Sequence, residues 1–136
     1  MAIVENVNLV AVVVAAIVAM IVGFVWYSKP LFGDMWMKQM KINQKEMQKM
    51  RGKAMVIASI AALLTACVLA VLMKSLGATT ITAGLTVAFW IWVGFFLTLE
   101  MVRMAFEGTS MSLFLISIFH HIVALSAMSI VLVLIP

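Results

Sequence analysis

Charge is what this chain has least of: 10% of its 136 residues are charged, against 66% hydrophobic. A soluble domain carries about 25% charged residues to cover its surface, so most of this surface has to face something apolar. Cysteine is nearly absent as well. The single one, Cys67, lies inside an apolar run and excludes an intramolecular disulfide and a cysteine metal cluster within one chain. The only aspartate, Asp34, sits in a polar connection, so no Ser-His-Asp set can be assembled. There is no phosphate-binding glycine loop, no dinucleotide glycine pattern and no pair of carboxylates at one depth of an apolar run. No catalytic residue is expected, and the chain reads as not an enzyme. The N-terminus lacks the basic stretch of a cleavable signal, opening instead with Glu5, Asn6 and Asn8. The apolar run behind them reads as a retained helix.

What is present is four apolar runs, each near the roughly 20 residues a membrane-spanning helix needs. They cover about 7–28, 54–73, 82–105 and 111–135, a single transmembrane domain over 1–136. The fold class follows: all-α, four transmembrane helices in an antiparallel bundle. Trp26 and Tyr27 close the first run as aromatics do at headgroup level, and Lys29-Pro30 ends it because proline disfavours helical geometry in the residue before it. Thr79 or Thr80 caps the third run. Gly108, in the tight turn before the fourth, suits a helix end, and so short a turn makes its flanking helices antiparallel neighbours. Val22-Gly23-Phe24 and Val93-Gly94-Phe95 fall in runs of the same direction and read either as a faint repeat or as coincidence.

The connection over 29–53 is the longest polar stretch. Asn43 followed by Glu46 fits a helix-start capping box, which extends the second helix back to about Gln44. A short interfacial helix around Asp34 to Met40, a break and a long second helix fit better than one flat helix over 35–51, which would put Asn43 on its apolar side. Seven basic residues, Lys29, Lys38, Lys41, Lys45, Lys49, Arg51 and Lys53, stand in this connection against Asp34 and Glu46. Positive residues concentrate in cytoplasmic loops, so the connection is expected inside and both termini outside, in a plasma (inner) membrane. Arg103 agrees and Lys74 does not. Attraction to anionic headgroups follows as a by-product. Nucleic-acid binding is not expected, because the connection is too short to fold as a domain.

The stretch from Gly23 to Trp36 is the most distinctive in the chain. Gly23, Trp26, Tyr27, Pro30, Phe32, Gly33 and Trp36 form a Gly-x-x-Trp-Tyr-x-x-Pro-x-Phe-Gly-x-x-Trp pattern. It resembles the signature of a prokaryotic membrane family known as domain of unknown function 1761, and the resemblance extends over nearly the whole chain. It implies four helices and a membrane location; it carries no activity.

Ionisable groups at membrane depth are expensive and so are functional candidates. His120 and His121 lie about 15 Å from a helix start near Ser110, counting ~1.5 Å per residue, which puts them close to the midplane. His121 shares a face with Ser117 and Ala124. At matching depth the third run offers Gly94, whose missing side chain would leave room for an imidazole. The histidines suit a proton relay or a ligand site, or simply hydrogen bonds between helices. A metal site would need further ligands that one chain does not provide, so no metal or cofactor is expected.

A second candidate is the helical stripe Trp92, Phe96, Glu100, Arg103 and Glu107. Its charged end matches Trp26, Tyr27 and Lys29 in depth, where Arg103 and Lys29 would hold an anionic group, or where Glu100 and Arg103 would satisfy each other. The 13 methionines read as adaptable packing rather than as a copper motif. The expected protein is a small homo-oligomer, close-packed through Gly84, Gly94, Ala124 and Ala127. It is accessory, structural or ligand-binding, alone or paired with a membrane protein partner; the alternative is a small transporter or channel for a proton, metal ion or small solute using the histidine pair.

Overall fold

The computed structural model describes residues 6–136; Glu5, part of the reading of the N-terminus, lies outside them. Among the described residues all regular structure is helical: α1 (Leu9–Trp26), α2 (Gly33–Met40), α3 (Gln44–Ser75), α4 (Ile81–Ile91), α5 (Thr98–Glu107) and α6 (Met111–Leu134). A π-helical segment, Trp92–Leu97, joins α4 to α5 into one continuous span. Among the described residues four helices are therefore long and apolar enough to cross a membrane, with α2 as the short helix between the first two.

Small polar side chains start the four long spans. Asn8 Oδ1 accepts from the amides of Val10 and Ala11 at 3.0 and 3.3 Å. Asn43 accepts from Glu46 N at 2.8 Å, Thr80 from Ala83 N at 3.1 Å and Ser110 from Leu113 N at 3.1 Å. Each satisfies an amide that the first helical turn leaves without an intrahelical partner. The long second helix with its cap at Asn43 thus matches the sequence expectation, and Thr80 rather than Thr79 caps the third span. α5 ends on Gly108 in the left-handed region at φ 67°. α2 ends on Lys41, left-handed at φ 57° without being glycine, while the Ile42 amide closes the end on Met37 O at 3.1 Å.

Neighbouring spans run antiparallel in the lateral order α3, α1, α6, α4: α1 packs on both α3 and α6, and α4 packs on α6. The second and third spans, joined by only five residues, separate after their turn and meet chiefly at its end. There Gly84 lies under Met73 of α3 and Val133 of α6, at 3.2 and 3.0 Å from the position a Cβ would take. A short connection therefore does not make these two spans packed neighbours.

The core fills the half of the bundle nearest the termini. Val12, Ala15 and Ala16 of α1 meet Ala66, Leu69 and Met73 of α3, Ala88 of α4, and Leu125 and Met128 of α6. The four alanines in this set let backbones approach closely, which is how apolar helices gain packing when lipid competes for their side chains. Asn8 Nδ2 donates to Pro136 O at 2.9 Å and Lys74 Nζ to Asn6 O, tying the same end together. Towards the other, basic end the helices part: among the described residues α3 buries nothing before Ala66, and α5 buries nothing.

Candidate functional site

The signature stretch builds the floor of the site. α1 stops at Trp26, three residues before Lys29-Pro30, and the chain then doubles back on itself. Phe32 N donates to Trp26 O at 3.1 Å, and Leu31 N and Gly33 N both donate to Ser28 O, at 3.1 and 2.9 Å. Gly33 is dictated by contact: a Cβ there would sit 2.3 Å from Tyr27 O and 2.9 Å from the Ser28 carbonyl. Within this knot Trp26 stacks on Phe32 with ring centroids 4.8 Å apart, and Tyr27 meets Trp36 edge-on at 5.8 Å. α2 is thereby laid against the start of α6, where Ser110 Oγ donates to Gln39 Oε1 at 2.6 Å.

What the knot covers is the histidine pair. The His120 ring centroid lies 5.2 Å from that of Tyr27 and 6.4 Å from that of Trp26, and its Nε2 stands 3.7 Å from where a Gly23 Cβ would be. Gly23, not Gly94, therefore makes room for the imidazole. Gly94 is exposed within the π-helical segment, with nothing within 4 Å of its Cβ position. The two Val-Gly-Phe triplets consequently occupy unlike environments.

The pairing differs from the depth-matched expectation because α6 runs past the end of α1. The outer ends are level, with Asn8 bonded to Pro136, while α1 has 18 residues and α6 has 24. His120 therefore stands in register with Gly23 and Tyr27, near the end of α1 although close to the middle of α6.

Two indoles hold α6 in place. Trp26 Nε1 donates to Ile116 O at 3.0 Å and Trp92 Nε1 to Ile118 O at 2.7 Å. Both bonds reach backbone carbonyls just before the histidines and fix that turn of α6 between the first and third spans. Trp92 was legible as part of a stripe; its partner was not.

The stripe delivers the charged wall. Phe96 packs on His121 with ring centroids 4.9 Å apart. Glu100 Oε1 lies 3.8 Å from His121 Nε2 and 3.6 Å from Arg103 Nη1. Arg103 Nε donates to Glu107 Oε2 at 3.0 Å, so one guanidinium is shared by two carboxylates. The Glu100 side chain is only 12% exposed, whereas Glu107 is 59% exposed. The two histidine rings are 5.2 Å apart, and His120 Nδ1 is buried without a hydrogen-bond partner.

The two candidate clusters thus become one. Tyr27, Trp36, Met40, Glu100, Arg103, Leu113, Ser117, His120 and His121 line a half-open cavity of about 340 Å³. Lys29 does not reach it and remains exposed. Trp36 and Met40, supplied by α2, belong to the lining although the sequence had offered Trp36 only as part of the signature and Met40 only as packing. Among the described residues no three His, Cys, Asp or Glu side chains are placed to hold a metal ion. At the opposite end a second cavity, of about 180 Å³, lies among Asn8, Met73, Lys74 and Pro136, and the apolar core separates the two.

Four apolar antiparallel spans define a multi-pass membrane protein. The chain belongs to a family described as "Protein of unknown function (DUF1761)", whose sequence profile matches residues 10–133. No curated protein and no solved structure matches it.

Proposed function

We propose that the protein binds a small polar ligand in the cavity at its basic end. The observation that supports this is the convergence of Glu100, Arg103, Ser117, His120 and His121 on one half-open space walled by Tyr27 and Trp36. Ionisable groups are retained at such depth where they face water or a ligand, and a cavity with few converging polar groups is the usual form of a ligand site. A role confined to locking helices together would leave no need for the space.

The reading places the protein in the plasma membrane with the basic connection cytoplasmic and both termini outside, because seven basic residues mark that connection. The cavity then opens towards the cytoplasm, and the basic residues around it attract anionic headgroups. The chain acts as an accessory or binding protein and not as an enzyme. It assembles as a homo-oligomer or with a membrane protein partner, since Val56, Ile57, Ile60 and Leu64 leave one side of α3 open to lipid or to another helix. A transport role is the second reading, favoured by the π-helical segment beside the cavity, a feature frequent at functional sites. It requires a path through the layer of Ala15, Ala16, Leu69, Leu125 and Met128, all buried and apolar.

Thiol labelling tests the reading. In a Cys67→Ser background, His121→Cys in membrane vesicles, at a partly exposed position of the lining, should react with a charged, membrane-impermeant methanethiosulfonate from the cytoplasmic face only. Ala16→Cys, in the buried core, should stay unreactive from either face. An inert His121→Cys would remove the hydrated cavity, and labelling from the opposite face would reverse the orientation.

A further inference from the structure

We propose that the outward face of the third span is a self-association surface, through which two copies of this chain pair about a two-fold axis normal to the membrane. The inference rests on the assembly part of the reading above and names its face and partner; it does not depend on what the cavity binds.

α4 ends the lateral row of spans and buries Gly84 and Ala88 towards its neighbours. On its other side Thr82, Thr86, Trp90, Gly94 and Thr98 recur at every fourth residue, and all five are exposed. A four-residue repeat drifts by about 40° per step around an α-helix. The wider π-helical turn at Trp92–Leu97 takes that drift back, so the stripe stays on one face. Gly94 has no reason within the chain, since nothing lies within 4 Å of its Cβ position. Glycine weakens a helix interior, and what it permits in a membrane is the close approach of another backbone.

Trp90 decides the occupant. Trp26 and Trp92 donate to carbonyls of α6. The Trp90 indole is 65% exposed, with the Phe89 ring 5.5 Å away and no hydrogen-bond acceptor among the described residues. It stands about 14 Å from the start of its span, at 1.5 Å per residue, near the middle of a hydrocarbon core roughly 30 Å thick. Acyl chains accept no hydrogen bond, so an unmet N–H is costly at that depth. The occupant is therefore a helix presenting an acceptor, and the stripe itself supplies one. Thr86 Oγ1 donates to Thr82 O at 2.8 Å, which leaves its oxygen free to accept. Side chains on a helix lean towards its N-terminus, so Trp90 reaches the level of Thr86 on a parallel copy, and the two-fold axis repeats the bond.

The area suffices. Phe89, Trp90 and Phe95 are 47%, 65% and 72% exposed, which offers on the order of 400 Å² per copy for aromatic side chains of this size. Adding the threonines and Leu99 on both copies brings a pair to roughly the 1,000 Å² that a lasting interface needs.

The experiment is cysteine cross-linking between copies in native membranes, in a Cys67→Ser background with a short bifunctional thiol reagent, paired with sedimentation equilibrium in detergent. Thr86→Cys should bridge two copies, and Ile60→Cys, on the exposed side of α3, should not. Trp90→Phe keeps a ring and removes the N–H; Gly94→Leu fills the notch. Each should raise the dimer dissociation constant about tenfold, two interhelical hydrogen bonds being lost in the first, with helicity unchanged. Bridging at Ile60→Cys and not at Thr86→Cys would overturn this surface and leave the assembly reading standing. A dissociation constant unchanged in both variants would also overturn the surface. Monomers in detergent that bridge at neither position would remove both.

Discussion

Gly33 and the indoles of Trp26 and Trp92 show how much of this site rests on single side chains. A methyl group at Gly33 would run into the Tyr27 and Ser28 carbonyls, which are backbone and cannot swing aside. Gly33→Ala is therefore expected to destabilise the protein by about 2 kcal/mol, in the usual range for overpacking a filled site. It should also loosen Tyr27 from His120. Thermal unfolding in detergent, followed by Trp fluorescence, measures the first effect, and an unchanged melting temperature would mean that the turn tolerates a Cβ. The rare polar residues were legible from sequence because a histidine or glutamate inside an apolar run stands out on cost alone. Their meeting was not. Counting depth from Ser110 treats every helix as starting at the same plane, whereas α6 begins well beyond the end of α1. The histidines therefore pair with Gly23 and Tyr27 rather than with Gly94.

Helix starts obeyed local chemistry. Asn8, Asn43, Thr80 and Ser110 each bond an orphan amide, and such caps can be read from a few residues without knowledge of the fold. Asn43 supports the part of α3 that buries nothing, so there the cap has little tertiary packing to assist it. Asn43→Ala should cost that end about 1 kcal/mol, seen as faster hydrogen exchange at Lys45 to Met47 with the amides beyond Ala66 unaffected. Equal exchange in both proteins would show that other contacts hold the end. The π-helical segment Trp92–Leu97 left no comparable trace in sequence. It widens a helix whose residues are apolar all round, so no amphipathic stripe changes direction to announce it. Its effect is nonetheless local to the site: it begins at Trp92, bonded to α6, and ends three residues before Glu100, which faces His121.

Spans are written in hydropathy, but their lateral order is not, because lipid and protein interiors are equally apolar and a leucine facing either looks the same. The order α3, α1, α6, α4 instead follows from where alanines and glycines permit close approach, which is why the second and third spans part despite their five-residue link. This arrangement puts a tight core at the end with the termini and a polar cavity at the basic end. The account rests on the signature segment being folded onto the histidine face of α6. Cysteine cross-linking in native membranes measures that placement, in a Cys67→Ser background with a short bifunctional thiol reagent. Gly23→Cys with His120→Cys should bridge within one chain in minutes, and Gly94→Cys with His120→Cys should not. Bridging of the Gly94 pair in preference to the Gly23 pair would contradict the packing described and, with it, the cavity that Tyr27, Glu100 and His121 share.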